Sequence, residues 1–114
     1  MRDTLFLLPP GFEDNDRREF CPECAEIWGL LSWFPAIKES LEIVYVPIEK
    51  PRAEMSQYLG EKNQNAPTLM LAEESPIFEG CGIMRYRGFQ FINNAGDIAK
   101  YYAQRFGTPW PRGR

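Results

Sequence analysis

The sequence predicts an α/β domain: a mixed four-stranded sheet flanked by helices, in the order β-α-β-α-β-β-α. Three observations point there. Apolar runs at residues 4–8 and 41–48 bracket a helical pattern, which makes a β-α-β unit with two parallel strands. A third run, residues 68–71, follows a second helical pattern and leads into turn-rich chain that folds back antiparallel. An amphipathic segment from residue 95 onward closes the domain with a helix.

Each element has its own signal. Residues 4–8 are stopped by Pro9-Pro10-Gly11 and read as a buried strand, whereas residues 12–20 are polar, charged and aperiodic and read as a loop. Pro22 suits the first position of a helix, where its missing N–H costs nothing, and this makes Cys21 the N-cap. Cys24, Ile27, Leu31 and Phe34 then share one helical face with Trp28 beside it, until Pro35 breaks the pattern into a short turn over residues 35–40. Residues 41–48 are β-branched and aromatic, the second strand. Pro51 starts a second helix, with Met55 and Leu59 one turn apart and Gly60 as its stop.

The third strand, residues 68–71, is reached through Ala66-Pro67. Residues 73–76 read as a turn, residues 76–78 as a segment pairing back, and residues 90–92 as one more short strand, while residues 81–88 show no clear pattern. Asn93 or Asn94 caps the last helix, Asp97 suits its first turn, and Ile98, Tyr102 and Phe106 line one face. Gly107 and Pro109 end it. The domain therefore covers residues 1–108, with a short, loosely ordered tail over 109–114 from which Trp110 can dock.

Composition narrows the function. The 114 residues make one domain, and 13 Lys and Arg against 16 Asp and Glu are scattered, so no basic face for nucleic acid is expected. No apolar run reaches membrane-spanning length, and none resembles a signal segment. The absence of histidine removes Ser/His/Asp and Cys/His catalysis and most zinc chemistry. Three cysteines are too few for a disulfide scaffold, so a cytoplasmic, thiol-reducing location is the expectation.

Cys21-Pro22-Glu23-Cys24 carries most of the chemical information. Two thiols three positions apart can close into a disulfide, and a thiol at a helix start meets free backbone N–H groups that favour a thiolate. Glu23 opposes that charge, and Arg17 and Arg18 can offset it if the preceding loop folds back. Inert thiols on a packed fold, or a metal site joined by Cys81, remain open alternatives. Cys81, between two glycines, reads first as a small buried residue. Trp28, Trp33 and Phe34 read as packing residues, and Arg85-Tyr86-Arg87 as solvated chain.

A CxxC at the first helix of a β-α-β unit resembles the thioredoxin-like, glutaredoxin-like fold. That resemblance implies a cis peptide at Pro67 facing the thiols. It also implies Cys21 as the attacking thiolate, Cys24 as the buried resolving thiol, and Ala66 with Pro67 as a substrate platform. The start of the last helix is similar to glutathione-transferase N-domains, which implies a substrate contact at Asn94. The acidic and hydroxyl pair of those domains is Asn94-Ala95 here, which argues against glutathione. Leu5-Phe6-Leu7-Leu8, Gly11-Phe12-Glu13-Asp14, Phe20-Cys21-Pro22-Glu23-Cys24-Ala25, Gly60-Glu61-Lys62-Asn63-Gln64 and Phe91-Ile92-Asn93 together resemble the bacterial DUF3088 family, which has no established activity. The function expected is thiol–disulfide exchange with a protein or small-molecule disulfide, using a redox-active disulfide and no cofactor. The alternative is a non-catalytic scaffold that holds a peptide or partner in the groove beside Pro67.

Overall fold

A computed structural model describes residues 1–114. Strand β1 (Asp3–Leu7) lies inside a five-stranded mixed sheet with β4 (Leu41–Tyr45), β5 (Thr68–Met70), β6 (Met84–Tyr86) and β7 (Phe89–Ile92), in the order β4-β1-β5-β7-β6. β1 runs parallel to β4, pairing Leu5 with Ile43, and every other neighbour is antiparallel. Leu5, Phe6 and Leu7 point to alternate faces yet all are buried, so helices and loops cover both faces of the central strand. Helices α1 (Pro22–Trp33), α2 (Pro35–Glu39), α3 (Ala53–Leu59) and α4 (Ala95–Phe106) supply that cover, with Ile27, Leu31, Ile37, Met55, Leu59, Ile98 and Tyr102 in one continuous core. No helix is long and apolar enough to cross a membrane.

The sheet has five strands where four were expected, and two of the expected segments differ. Residues 76–78 do not pair back as a strand. Pro76 has no N–H to give a ladder, and its carbonyl instead accepts the Tyr101 hydroxyl at 2.8 Å, while Phe78 packs edge-on against the Tyr101 ring. The added strand is β6, joined to β7 by a tight turn at Arg87 and Gly88, both with positive φ. Residues 12–20, expected as a loop, form a separate hairpin of β2 (Phe12–Asp14) and β3 (Arg17–Glu19). Asn15 and Asp16, at φ 51° and 58°, make its two-residue turn, and these are the side chains that best tolerate that region. With polar residues on both faces, the hairpin lacks the apolar alternation by which a strand is usually recognised.

The caps match their sequence signals. Asn94 Oδ1 accepts from Asp97 N at 2.9 Å, Gly107 ends α4 in the left-handed conformation, and Pro22 and Pro35 each occupy the first turn of a helix. The tail folds back onto the domain rather than hanging free: Arg114 pairs with Glu26 of α1, and Lys100 lies over the Trp110 ring.

A buried carboxylate ties β1 to the far side of the fold. Asp3, 1% exposed, accepts hydrogen bonds from Ala72 N (2.9 Å), Ser75 Oγ (2.5 Å), the Tyr102 hydroxyl (3.0 Å) and Arg105 Nη1 (2.7 Å). Every lone-pair direction of the carboxylate thus has a donor, which offsets the cost of burying its charge. Substituting Asp3→Asn keeps the size but removes the charge and reverses one amide group. It should cost about 2–4 kcal/mol in urea unfolding at neutral pH, and a loss below ~0.5 kcal/mol would contradict the assigned network.

Candidate functional site

The dithiol turn sits just beyond the C-terminal end of β1, carried there by the hairpin. Cys21 is the N-cap of α1, with extended backbone (φ −81°, ψ 116°), and its sulfur accepts a hydrogen bond from Cys24 N at 3.1 Å. The sulfur is thus held against the free N–H groups of the first helical turn, where partial positive charge collects. Cys21 is half-buried and Cys24 buried, and both are free thiols. Across from them, the Ala66-Pro67 peptide is cis, and the Ala66 carbonyl accepts from Cys21 Sγ at 3.8 Å. Cys21, Cys24, Ala66 and Pro67 are therefore brought together.

Burial and the neighbouring Cys21 sulfur push the Cys24 thiol up to about 12, with the Glu23 carboxylate adding to the effect and a backbone hydrogen bond from Leu8 opposing it. One thiol is reachable at a helix tip. Its partner is protonated in the core one turn on.

Glu23 turns its carboxylate to the start of α4, where Oε1 accepts from Ala95 N at 3.3 Å. This places the start of α4 beside the dithiol turn. Asn94 itself is engaged locally: its carbonyl oxygen caps Asp97 N, and its amide donates to Asp97 Oδ2 at 2.9 Å. Of the two arginines of the hairpin, only Arg17 has a partner. Arg17 pairs with Glu19 at 2.7 Å, while the exposed Arg18 guanidinium lies against Gly11, whose φ of +89° favours glycine. Cys81 is buried away from this turn, with its sulfur 3.4 Å from the Phe78 carbonyl, and burial raises its thiol. No three acidic, thiol or imidazole side chains converge as a metal-ligand set.

Two features here carry no sequence signal. The first is Arg52, 3% exposed and without a carboxylate partner. Its Nε donates to the Pro47 carbonyl at 2.7 Å, Nη2 to Ile48 at 3.2 Å and Nη1 to Gln64 at 2.5 Å, while its own N–H reaches Gln64 Oε1 at 2.5 Å. Gln64 in turn donates to Gly60 O at 2.8 Å and Ser56 Oγ at 3.0 Å. The guanidinium thereby clasps the chain after β4 to the chain that leads into Ala66-Pro67. Burial pulls Arg52 down, and negative charge on Cys24 or Cys21 acts in the opposite sense, so the cation lies within electrostatic reach of both sulfurs. An arginine following a proline normally reads as solvated, which is why nothing marks it in the sequence. The second feature is a cavity of about 360 Å³ against the thiols, lined by Leu8, Pro10, Phe20, Cys21, Cys24, Ala25, Trp28 and Tyr45.

A family described as "Protein of unknown function (DUF3088)" matches residues 2–110, nearly the whole chain. The chain belongs to the DUF3088 family. No curated protein and no solved structure matches it. For this DUF3088 protein, the arrangement of groups around Cys21 is therefore the ground on which chemistry can be argued.

Two outcomes follow from the geometry. Arg52→Met leaves the buried Gln64 carbonyl and the part-buried Pro47 and Ile48 carbonyls without this donor and should cost about 2–4 kcal/mol in urea unfolding, with Arg52→Lys recovering only part of it. For Cys24, the folded thiol holds its proton to about pH 12, whereas the unfolded thiol releases it near 9.0. The folded state thus binds the extra proton above pH 9, and stability falls as pH rises through that window. Urea midpoints measured from pH 8 to pH 11 should decline, and Cys24→Ala should flatten part of the slope; an unchanged slope in the variant would contradict the assignment.

Proposed function

We propose that this protein is a thioredoxin-like thiol–disulfide oxidoreductase, with Cys21 as nucleophile and Cys24 as resolving thiol. The observation that carries the reading is the pairing of unlike thiols beside a cis-proline: Cys21 Sγ is half-buried at a helix N-cap, 3.8 Å from the Ala66 carbonyl, with Cys24 buried beneath it. The topology supports it. With α2, β6 and the hairpin set aside, the remaining elements run β-α-β-α-β-β-α, the order of a thioredoxin-like domain.

The reaction balances as follows. The Cys21 thiolate attacks one sulfur of a substrate disulfide, the substrate S–S bond breaks, and one half leaves as a thiolate that water protonates. The bound half is a mixed disulfide on Cys21, next to Ala66 and Pro67. Cys24 then gives up its proton to water and attacks the Cys21 sulfur, releasing the second half as a thiolate that takes a proton back and closing a Cys21–Cys24 disulfide. Two electrons have passed from protein to substrate. Two external thiols, or one dithiol, return them by the same kind of exchange and leave as a disulfide. Keeping Cys24 protonated until the mixed disulfide forms assigns the first attack to Cys21.

Reduction of insulin or of a small disulfide tests the reading. Wild type should turn over at least about a hundredfold faster than Cys21→Ser, and Cys24→Ser should accumulate a covalent adduct at Cys21 visible in the intact mass. Equal rates in wild type and Cys21→Ser would leave only the alternative, a groove that binds a peptide without exchanging thiols.

A further inference from the structure

We infer that the substrate is an extended peptide disulfide in which a bulky, uncharged side chain, aromatic by preference, flanks the cysteine that Cys21 attacks; this rests on the thiol-exchange reading above. The cavity beside the thiols specifies the class. Cys21, Cys24, Ala25 and Trp28 stand at positions i, i+3, i+4 and i+7, so they form one stripe along α1. The stripe runs from the reactive sulfur for roughly 10 Å of helix. Phe20, immediately before Cys21, forms another wall, and Leu8, Pro10 and Tyr45, at or just past the C-terminal ends of parallel strands β1 and β4, complete it.

Apart from the Cys21 sulfur, a thiolate during exchange, none of the eight lining residues carries a charge. Lys38 lies over the Trp28 ring at 5.7 Å but is not itself a wall. Beyond the Cys21 sulfur, along Ala25, Trp28 and Tyr45, a carboxylate or ammonium loses water and gains no partner, whereas an aromatic ring loses little and covers apolar surface. The volume of about 360 Å³ falls in the range of small binding sites rather than of packing defects. Two of its walls are also unusually open for large apolar residues, Phe20 at 61% and Tyr45 at 45% exposed.

The peptide class follows from the other side of the sulfur. Ala66, 3.8 Å from Cys21 Sγ, is not part of the groove, so the sulfur sits between a backbone carbonyl and an apolar slot. A peptide can use both at once, giving a main-chain N–H to the carbonyl and a neighbouring side chain to the slot. Glutathione has main-chain N–H groups for the carbonyl but no apolar side chain for the slot.

A competition experiment reads this directly. The reduced full chain carrying Cys24→Ser is mixed with equal amounts of two peptide homodisulfides, identical except for Phe or Asp beside the cysteine. Adducts are counted by intact mass and located at Cys21 by peptide mapping. The aromatic adduct should exceed the acidic one by about tenfold. Tyr45→Ser and Phe20→Ser, each added to that background, should bring the ratio toward one; both side chains are exposed, so their loss does not open the core. Equal adducts in the starting protein would overturn the inference while leaving thiol exchange standing. A preference that persists in both groove variants would overturn it too, since the selection would then arise elsewhere. Failure to form an adduct with either peptide or with hydroxyethyl disulfide would bring down the thiol-exchange reading and this inference together.

Discussion

The buried guanidinium of Arg52 is the interaction on which the geometry of the dithiol site depends. A cation in the core without a carboxylate is expensive, and it persists here because its N–H groups meet the Pro47, Ile48 and Gln64 carbonyls. Those carbonyls belong to two loops with no ladder between them. With Gln64 anchored, only Asn65 separates it from the cis Ala66-Pro67 peptide, and Asn65 is itself pinned to the Asn93 carbonyl at 2.5 Å. The position of the Ala66 carbonyl relative to Cys21 is thus set by side chains reaching across loops, where backbone pairing alone would leave it loose.

The two cysteines differ because the helix start differs from the helix face. Cys21 stands at the cap, outside the core and next to amide hydrogens; Cys24, one turn on, lies among the residues that pack α1 onto the sheet. The same sequence spacing that permits a disulfide also separates the environments. Glu23, which lies between them and works against negative sulfur, has its carboxylate directed to Ala95 N, so it helps fasten α1 to α4.

How much could be read from the chain depended on whether a residue's role was local. Cys21 as cap, Pro22 and Pro35 at helix starts, Gly60 and Gly107 at helix ends and the apolar strands read at 4–8 and 41–48, which form at 3–7 and 41–45, follow from rules that look only a few residues along. The cis bond at Pro67 was legible only through resemblance, because proline by itself specifies either isomer. The hairpin was hidden by its polarity on both faces, and β6 by its exposed Met84 and Arg85. Arg52 and the groove walls Leu8, Pro10, Phe20 and Tyr45 were illegible for a different reason. They come from distant stretches and meet only when the fold is complete.

The outer margin of the sheet at β6 is three residues long, bears an outward arginine at Arg85, and bends away at once through the positive-φ pair Arg87 and Gly88. Such a border offers few free amides in a row and places charge where an incoming chain would have to lie. Lateral growth of the sheet into fibres or swapped pairs is discouraged on that flank by brevity and charge, without any helix spent on shielding it.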